Sequence, residues 1–265
     1  MEERDWYDTP HYYDIVFDED TPTEATFLEV MHQRHGRGSG KPGRVFEPAC
    51  GSGRLVLEMA RRGWRVSGFD RSEAMLEYAR RRLKDADHRA RLWTDVMEDF
   101  TLPENTQTFD LAHCLVSTFK YLQAESEAVG FLDRVGNALG PGGILVLGLH
   151  LTDYQKPAVT HERWVAEREG VKVTCNTRTW PVDKRTRLEP LRSRLKVEFP
   201  DGAVRQQETH WKFRTYSAFQ FRALLRKVPQ FQLVACHDFH HDPESTRRLD
   251  DSYSDIVLVL RRRVE

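Results

Sequence analysis

Residues 44–70, RVFEPACGSGRLVLEMARRGWRVSGFD, constrain the fold more than any other part of the chain. Val45-Phe46 is a short apolar run, Ala49 to Gly53 a loop of small residues, Leu55 to Ala60 an apolar helical pattern, and Arg65 to Phe69 a second strand that ends in Asp70. Strand, tight turn, helix, strand and carboxylate in that order make the front half of a nucleotide-binding α/β unit. Without a Cβ, Gly51 and Gly53 let the backbone turn sharply and lie against a ligand. The helix that follows points its free N–H groups at the same spot. Asp70 is placed to accept hydrogen bonds from a pair of ribose hydroxyls. A dinucleotide fingerprint is G-x-G-x-x-G, and its third position here is Val56, which shifts the balance from NAD toward a nucleoside without phosphates.

The chain has 265 residues, 39% of them hydrophobic, enough for one sizeable core with an insertion. With 40 basic and 41 acidic residues the formal net charge is −1, so no long-range field draws it onto nucleic acid or an anionic membrane. The runs Arg80 to Arg82 and Arg261 to Arg263 read as solvated faces. Cys50, Cys114, Cys175 and Cys236 are widely spread and include no C-x-x-C pair, the pattern of reduced thiols in a cytosolic protein. The N-terminus, MEERDWYD, has no apolar core of a signal peptide, and no apolar run approaches the ~20 residues that span a bilayer. A cytoplasmic protein is expected.

Three regions follow from the patterning. Residues 1–40 are expected to form an N-terminal helical cap, with an acidic, aromatic lead-in over Glu2 to Asp20 and a helix from Thr23 to His35. Residues 41–150 and 211–265 read as the cofactor-binding core. After Asp70, Ser72 is a candidate N-cap and Met75, Leu76, Ala79 and Leu83 share a helical face. Arg91 to Asp95 is a third strand, Phe109 to Val116 a central strand buried on both faces, with His113 as a core histidine, and Ile144 to Leu149 a fifth. Glu125 to Leu139 is an amphipathic helix stopped by Gly140 to Gly143. Ala218 to Lys227 is helical, and Phe231 to Phe239 and Asp255 to Arg261 are the last strands. Residues 151–210 alternate polar and apolar over Val171 to Thr179, Leu188 to Phe199 and Ala203 to Tyr216, three strands of an antiparallel insertion over the carboxyl ends of the parallel strands.

Glu47-Pro48-Ala49-Cys50-Gly51-Ser52-Gly53 resembles the first motif of class I S-adenosylmethionine-dependent methyltransferases, and Phe69 to Ala79 resembles the second, an acidic residue followed by a helix carrying Met-Leu and Ala. Leu139-Gly140-Pro141-Gly142-Gly143 matches a recurrent structural signature of the same family. Leu115 to Leu122 is similar to the corresponding stretch of amino-sugar N-methyltransferases, except that Lys120 stands where glycine is common. The resemblance implies a doubly wound, mostly parallel Rossmann-like α/β sheet with the antiparallel insertion, and S-adenosyl-L-methionine as cofactor. It assigns the cofactor to Glu47, Ala49, Gly51, Gly53, Asp70, Arg71, Met75, Asp95, Val96, Leu115 and Ser117: Met75 under the adenine, Asp95 and the Val96 backbone at its amino group with Asp99 as competitor, and Leu115 and Ser117 at the methionine end. His11 to Asp14 resembles a segment that covers cofactor and acceptor in small-molecule methyltransferases, with Tyr12 or Tyr13 as the lid residue.

Methyl transfer from a sulfonium is an in-line displacement in which positioning can supply ~7 to 11 kcal/mol, so an amine acceptor needs no dedicated base, whereas a hydroxyl does. His150 and Tyr13 are the catalytic candidates, with the His237 to Asp242 cluster behind them. That cluster, HDFHHD, also offers metal ligands, but strand alternation would separate neighbours, and no metal is assigned. The expected partner is a small-molecule methyl acceptor, with no nucleic acid and no membrane; the N-terminal segment and the insertion are each candidates for a homodimer contact. An amine nitrogen is the first acceptor, an oxygen the second. A non-catalytic S-adenosylmethionine-binding protein and an NAD-dependent oxidoreductase are the alternatives, and Val56 counts against the last.

Overall fold

The computed structural model describes residues 2–37, 41–155 and 159–264. A seven-stranded sheet forms its centre, built from β2 (Arg44–Pro48), β3 (Arg65–Asp70), β4 (Arg91–Thr94), β5 (Phe109–Cys114), β6 (Leu139–His150), β11 (Phe231–His237) and β12 (Asp255–Arg262). Its order is β11-β12-β6-β5-β2-β3-β4; β2 to β6 run parallel, and β12 is antiparallel to both β6 and β11. The strand order reverses at β2, between β3 and β5, and the crevice at such a switch point is where open α/β sheets bind ligands. The expected α/β class, doubly wound and mostly parallel with a separate antiparallel sheet, is what the chain adopts.

Both faces of the sheet are covered. On one side α2 (Thr21–His35), α3 (Arg54–Arg61) and α4 (Glu73–Asp85) pack through Phe27, Met31, Leu55, Val56 and Leu76; on the other α5 (Glu125–Ala138) and α6 (Ala218–Leu225) pack through Phe131, Leu132, Val135 and Phe221. The middle of the sheet, β5, β6 and β12, is almost wholly buried and mostly apolar for that reason. Ser72 caps α4 as its spacing predicts, accepting from the Met75 N–H at 3.3 Å. Ser217 and Gln220 close a reciprocal capping box on α6.

The antiparallel sheet has the order β1-β10-β9-β8-β7, from β1 (Glu2–Glu3), β7 (Thr160–Arg168), β8 (Val171–Thr179), β9 (Leu188–Glu198) and β10 (Val204–Arg214). Within residues 151–210 it holds one strand more than the three expected. The omission is β7, an edge strand whose residues are nearly all exposed, so its sequence THERWVAER shows no apolar alternation. Two other boundaries differ. Pro10–Phe17 forms a helix, α1, within what the sequence presents as an aromatic lead-in, and β6 begins at Leu139, which pairs with Phe109 before the Gly-Pro-Gly-Gly segment interrupts the ladder and pairing resumes at Ile144. Gly142 takes φ +76° there, which a side chain would strain.

Helix α1 packs against the antiparallel sheet, Tyr12 and Ile15 meeting Val173, Leu195 and Val197. Its Asp14 is buried and joins four pieces of the chain. The carboxylate accepts from Ser52 Oγ (3.0 Å), Tyr78 OH (3.2 Å), Arg82 (2.6 and 3.1 Å) and Arg168 of β7 (2.8 Å). Asp18 completes a two-by-two charge set by accepting from the same two arginines at 2.8 and 3.2 Å. Removing one member of a buried set leaves uncompensated charge, which costs about 3–5 kcal/mol. Asp14→Ala is expected to lose stability on that order in urea denaturation, and Asp18→Ala, at a more exposed position, less; equal small losses would remove Asp14 from this role.

Candidate functional site

The site begins where β2 ends. Ala49 (φ +55°), Gly51 (φ +53°) and Gly53 (φ +71°) put three left-handed residues into the turn before α3. The two glycines differ in what they allow. A Cβ on Gly51 would meet nothing within 4 Å, so that backbone faces open space, whereas one on Gly53 would sit 2.6 Å from the Ala79 Cβ. Gly53 thus sets the contact between α3 and α4, and Gly51 presents bare backbone. Asp70, at the tip of β3, holds the turn in shape, one oxygen accepting from the Gly51 N–H and the other from the Ser72 N–H, both at 2.8 Å.

Across the switch point β5 ends in a second strained turn. Val116 and Ser117 have φ +54° and +63°, a left-handed geometry that costs a β-branched residue roughly 1–2 kcal/mol. Hydrogen bonds hold it: the Ser117 N–H donates to the Gly148 carbonyl (3.2 Å), and Ser117 Oγ accepts from the His150 N–H (3.0 Å). The result pushes Val116 outward, 40% exposed beside the turn.

Between the two turns lies a cavity of about 40 Å³ lined by Tyr13, Glu47, Gly51, Arg54, Leu115 and Val116, among others. Tyr13 brings α1 over it, and the cavity is small beside the about 300–1,000 Å³ of small-molecule sites. Tyr7 fastens the same segment, its hydroxyl 2.7 Å from that of Tyr121.

Electrostatically the cavity is one acid short of a partner. Burial pushes the Glu47 carboxyl up to about 8 despite the nearby Arg54 guanidinium, and its Oε2 has no hydrogen bond. Arg54 is buried too, but it is ion-paired with Glu24 of α2 and also donates to Thr21 Oγ1 at 3.1 Å. His113 Nδ1 lies 3.9 Å from Glu47 Oε1; burial lowers the imidazole to about 3, so it is neutral, and neither ring nitrogen has a hydrogen-bond partner. Burial also raises the Tyr13 phenol to about 12, leaving it a proton donor at neutral pH. A glycine turn whose backbone faces open space at Gly51, an unpartnered carboxyl oxygen and a buried acid at the next strand tip suit a ligand with an ammonium at one end and a ribose at the other. The residues therefore fit an adenosyl amino acid, once α1 moves aside.

The other residues singled out in the sequence fall at varied distances from this cavity. Met75 is fully buried in the core and Arg71 is exposed beside the Asp70 turn. The Asp95 carboxylate folds back on its own loop, accepting from the Val96 and Thr101 N–H groups (2.9 and 3.0 Å), and Val96 is exposed next to it; Asp99 is exposed and ion-paired with Arg134. Lys120 is buried, 3.8 Å from Glu189 on β9. His150 is outside the cavity lining: its Nδ1 is 2.8 Å from Asp255 Oδ1 on the neighbouring strand, and its ring lies 4.9 Å from that of Phe239. The hydrogen bond from His150 holds Asp255 down at about 2.

Sequence reasoning did not select Arg54 or Asp255. Arg54 directly follows the glycine turn, a signal that was available; the pairing of Asp255 with His150 arises only from strand register. His237 to Asp242 forms a pinned loop. His237 Nδ1 lies 2.9 Å from the Ser245 carbonyl oxygen, Asp238 pairs with Arg247, and His241 packs on Phe27. Among the described residues no three His, Cys, Asp or Glu side chains converge as a metal site, and all four cysteines are free and buried.

Glu47 makes a test of this electrostatic picture. It ionises near 4.5 in the unfolded chain and near 8 in the fold, so between those values the unfolded chain gives up its proton first and the fold loses stability as pH rises. Glu47→Gln cannot ionise. It is expected to be more stable than the parent at pH 8, with the advantage fading toward pH 4.5, in thermal or urea unfolding; a pH-independent difference would contradict the assignment.

Comparison with known proteins finds similarity in sequence and in fold. Residues 45–143 match the model of a family described as a methyltransferase domain. A dTDP-3-amino-3,6-dideoxy-alpha-D-glucopyranose N,N-dimethyltransferase of Streptomyces fradiae is 30% identical over 138 residues, 51% of this chain and 50% of that one. The chain spans about half the length of the curated relatives it matches. Streptomyces venezuelae DesVI superposes with a TM-score of 0.76 at 18% identity, covering 99% of this chain and 100% of the other. CalS10 of Micromonospora echinaspora, an amino pentose methyltransferase with S-adenosylmethionine bound, gives 0.66 at 20% identity over 90% of each chain. Residues 45–143 thus match a methyltransferase domain, and the chain shares the fold of the solved S-adenosylmethionine-dependent methyltransferases named above.

Proposed function

We propose that this protein transfers the methyl group of S-adenosylmethionine to an amine nitrogen of a small molecule. The observation that carries the reading is the unpartnered Oε2 of Glu47, in a cavity it lines together with the left-handed turn that Asp70 holds. When bound, the cofactor supplies an electrophilic methyl on a sulfonium. Everything else falls to the chain. Glu47 accepts from the methionyl ammonium and gives up its own proton as it does so. Asp70 has lone pairs left for the ribose after its two backbone bonds, Met75 backs the adenine from the core, and Asp95 and Val96 edge it. Leu115, Val116 and Ser117 form the wall at the methionine end, and Tyr13 closes the top, excluding water and donating a hydrogen bond.

The acceptor enters between α1, the turn after β5 and the antiparallel sheet. That side is aromatic: the Trp211 ring lies 5.1 Å from Trp6 and 6.1 Å from Tyr7, and Tyr121 packs edge-on at 4.8 Å against Phe213. Flat rings with hydroxyls at their edges suit a sugar-sized ring carrying an amine, in keeping with the aminosugar and amino pentose acceptors of the relatives named above. An amine need only be held in line with the methyl, so no base is required. One observation favours a second reading, a hydroxyl acceptor: His150, oriented by Asp255, is a base at the carboxyl end of β6.

Calorimetry with S-adenosylmethionine and its demethylated product, followed by turnover on a panel of amines and phenols, tests the reading. Binding is expected to tighten as pH rises toward 8 and then level off, because Glu47 must ionise to meet the ammonium. Loss of charged-acceptor hydrogen bonds in Asp70→Ala is expected to cost roughly 1.5–3 kcal/mol of affinity. Absence of heat with either compound refutes the proposal. His150→Ala is expected to leave amine turnover nearly intact; an amine rate that falls at least a hundredfold would instead make His150 a base.

A further inference from the structure

The opposite end of the parallel strands carries a cleft of about 610 Å³ that the proposed methyl transfer does not use. Three strands begin with arginine: Arg44 on β2, Arg65 on β3 and Arg91 on β4. All three line the cleft, and Arg89, just before β4, is the fourth. Arg44 lies directly opposite Arg65 in the parallel ladder, and Arg91 lies opposite Ser67. Like charges in direct register are destabilising. No carboxylate lines the cleft, and none of the four guanidiniums forms an ion pair among the described residues. Asp110 of β5 turns its carboxylate to the Arg44 backbone N–H at 2.8 Å. Arg91 donates to Thr106 Oγ1 and to the Glu104 carbonyl (3.1 and 3.2 Å), which fixes the loop that forms the far wall.

The cleft exists because the connection from β4 to β5 contains no helix. Elsewhere on this face α5 and α6 cover the sheet, but residues 95–108 pass as a loop and leave the starts of β2 to β5 open. Its floor is the end of an aromatic row, Phe109 stacked on Phe46 at 4.9 Å, flanked by Val66 and Ala90. Asn105 and Gln107 add amide donors at the rim. Four guanidiniums match phosphate oxygens in pairs, an apolar floor accepts a flat base, and the volume suits one small molecule.

We propose that this cleft binds a small polyphosphate anion of the nucleoside triphosphate class. The site is separate from the methyl-transfer pocket: β3 alone sets the two ends about 16 Å apart at ~3.3 Å per residue. The inference stands on the arginines and not on the methyl-transfer reading.

Calorimetry on the full chain with ATP, tripolyphosphate and adenosine tests it, at 0.05 and 0.3 M salt and with or without saturating S-adenosylhomocysteine. ATP and tripolyphosphate are expected to bind, less tightly at high salt, with adenosine at least tenfold weaker and S-adenosylhomocysteine without effect. Arg65→Gln with Arg89→Gln is expected to weaken ATP at least tenfold while keeping the thermal midpoint, since it removes repulsion. A control pair at exposed arginines elsewhere, Arg81→Gln with Arg226→Gln, is expected to change nothing. No heat with ATP, equal binding of adenosine, equal loss in both double variants, or displacement by S-adenosylhomocysteine would each overturn the proposal.

Discussion

The closed arrangement over the cavity depends on one buried carboxylate. Asp14 sits on α1, yet its hydrogen bonds reach the turn at Ser52, two side chains of α4 and an arginine of the antiparallel sheet. A lone charge at that depth would be heavily penalised, and the fold neutralises it by pairing Asp14 and Asp18 with Arg82 and Arg168 in a single set. Helix α1, the glycine turn and the antiparallel sheet are thereby joined by contacts that none of them could satisfy alone.

Strain and polarity concentrate in the same place. Ala49, Val116 and Ser117 are held in left-handed backbone, and each lies in or beside the turns that flank the cavity. Burial at the base leaves Glu47 protonated at neutral pH and His113 neutral. Such groups are costly in a closed protein and become useful when a complementary ligand takes up the free oxygen. The same sheet is asymmetric end to end: Glu47 and Asp70 lie at the carboxyl ends of β2 and β3, and β2, β3 and β4 each begin with an arginine.

The sequence determined the core of this protein. Apolar runs flanked by turn residues located the central strands, because a strand buried on both faces has no polar alternative. The glycine turn, the acid at the tip of β3 and the Ser72 cap were legible because each is a local device whose geometry requires particular residue types within a few positions. The resemblance to class I methyltransferases rested on those devices and agrees with the fold.

Tertiary structure alone decided the rest. Asp255 reaches His150, and Arg65 stands opposite Arg44, only through strand register, which brings together residues far apart in the chain. The edge strand β7 escaped notice because, with neither face buried, no apolar alternation is demanded of it. Whether a side chain such as Asp14 is a surface acid or the centre of a buried charge set depends on what packs around it, and that is fixed by the assembly of distant segments, which no local pattern encodes.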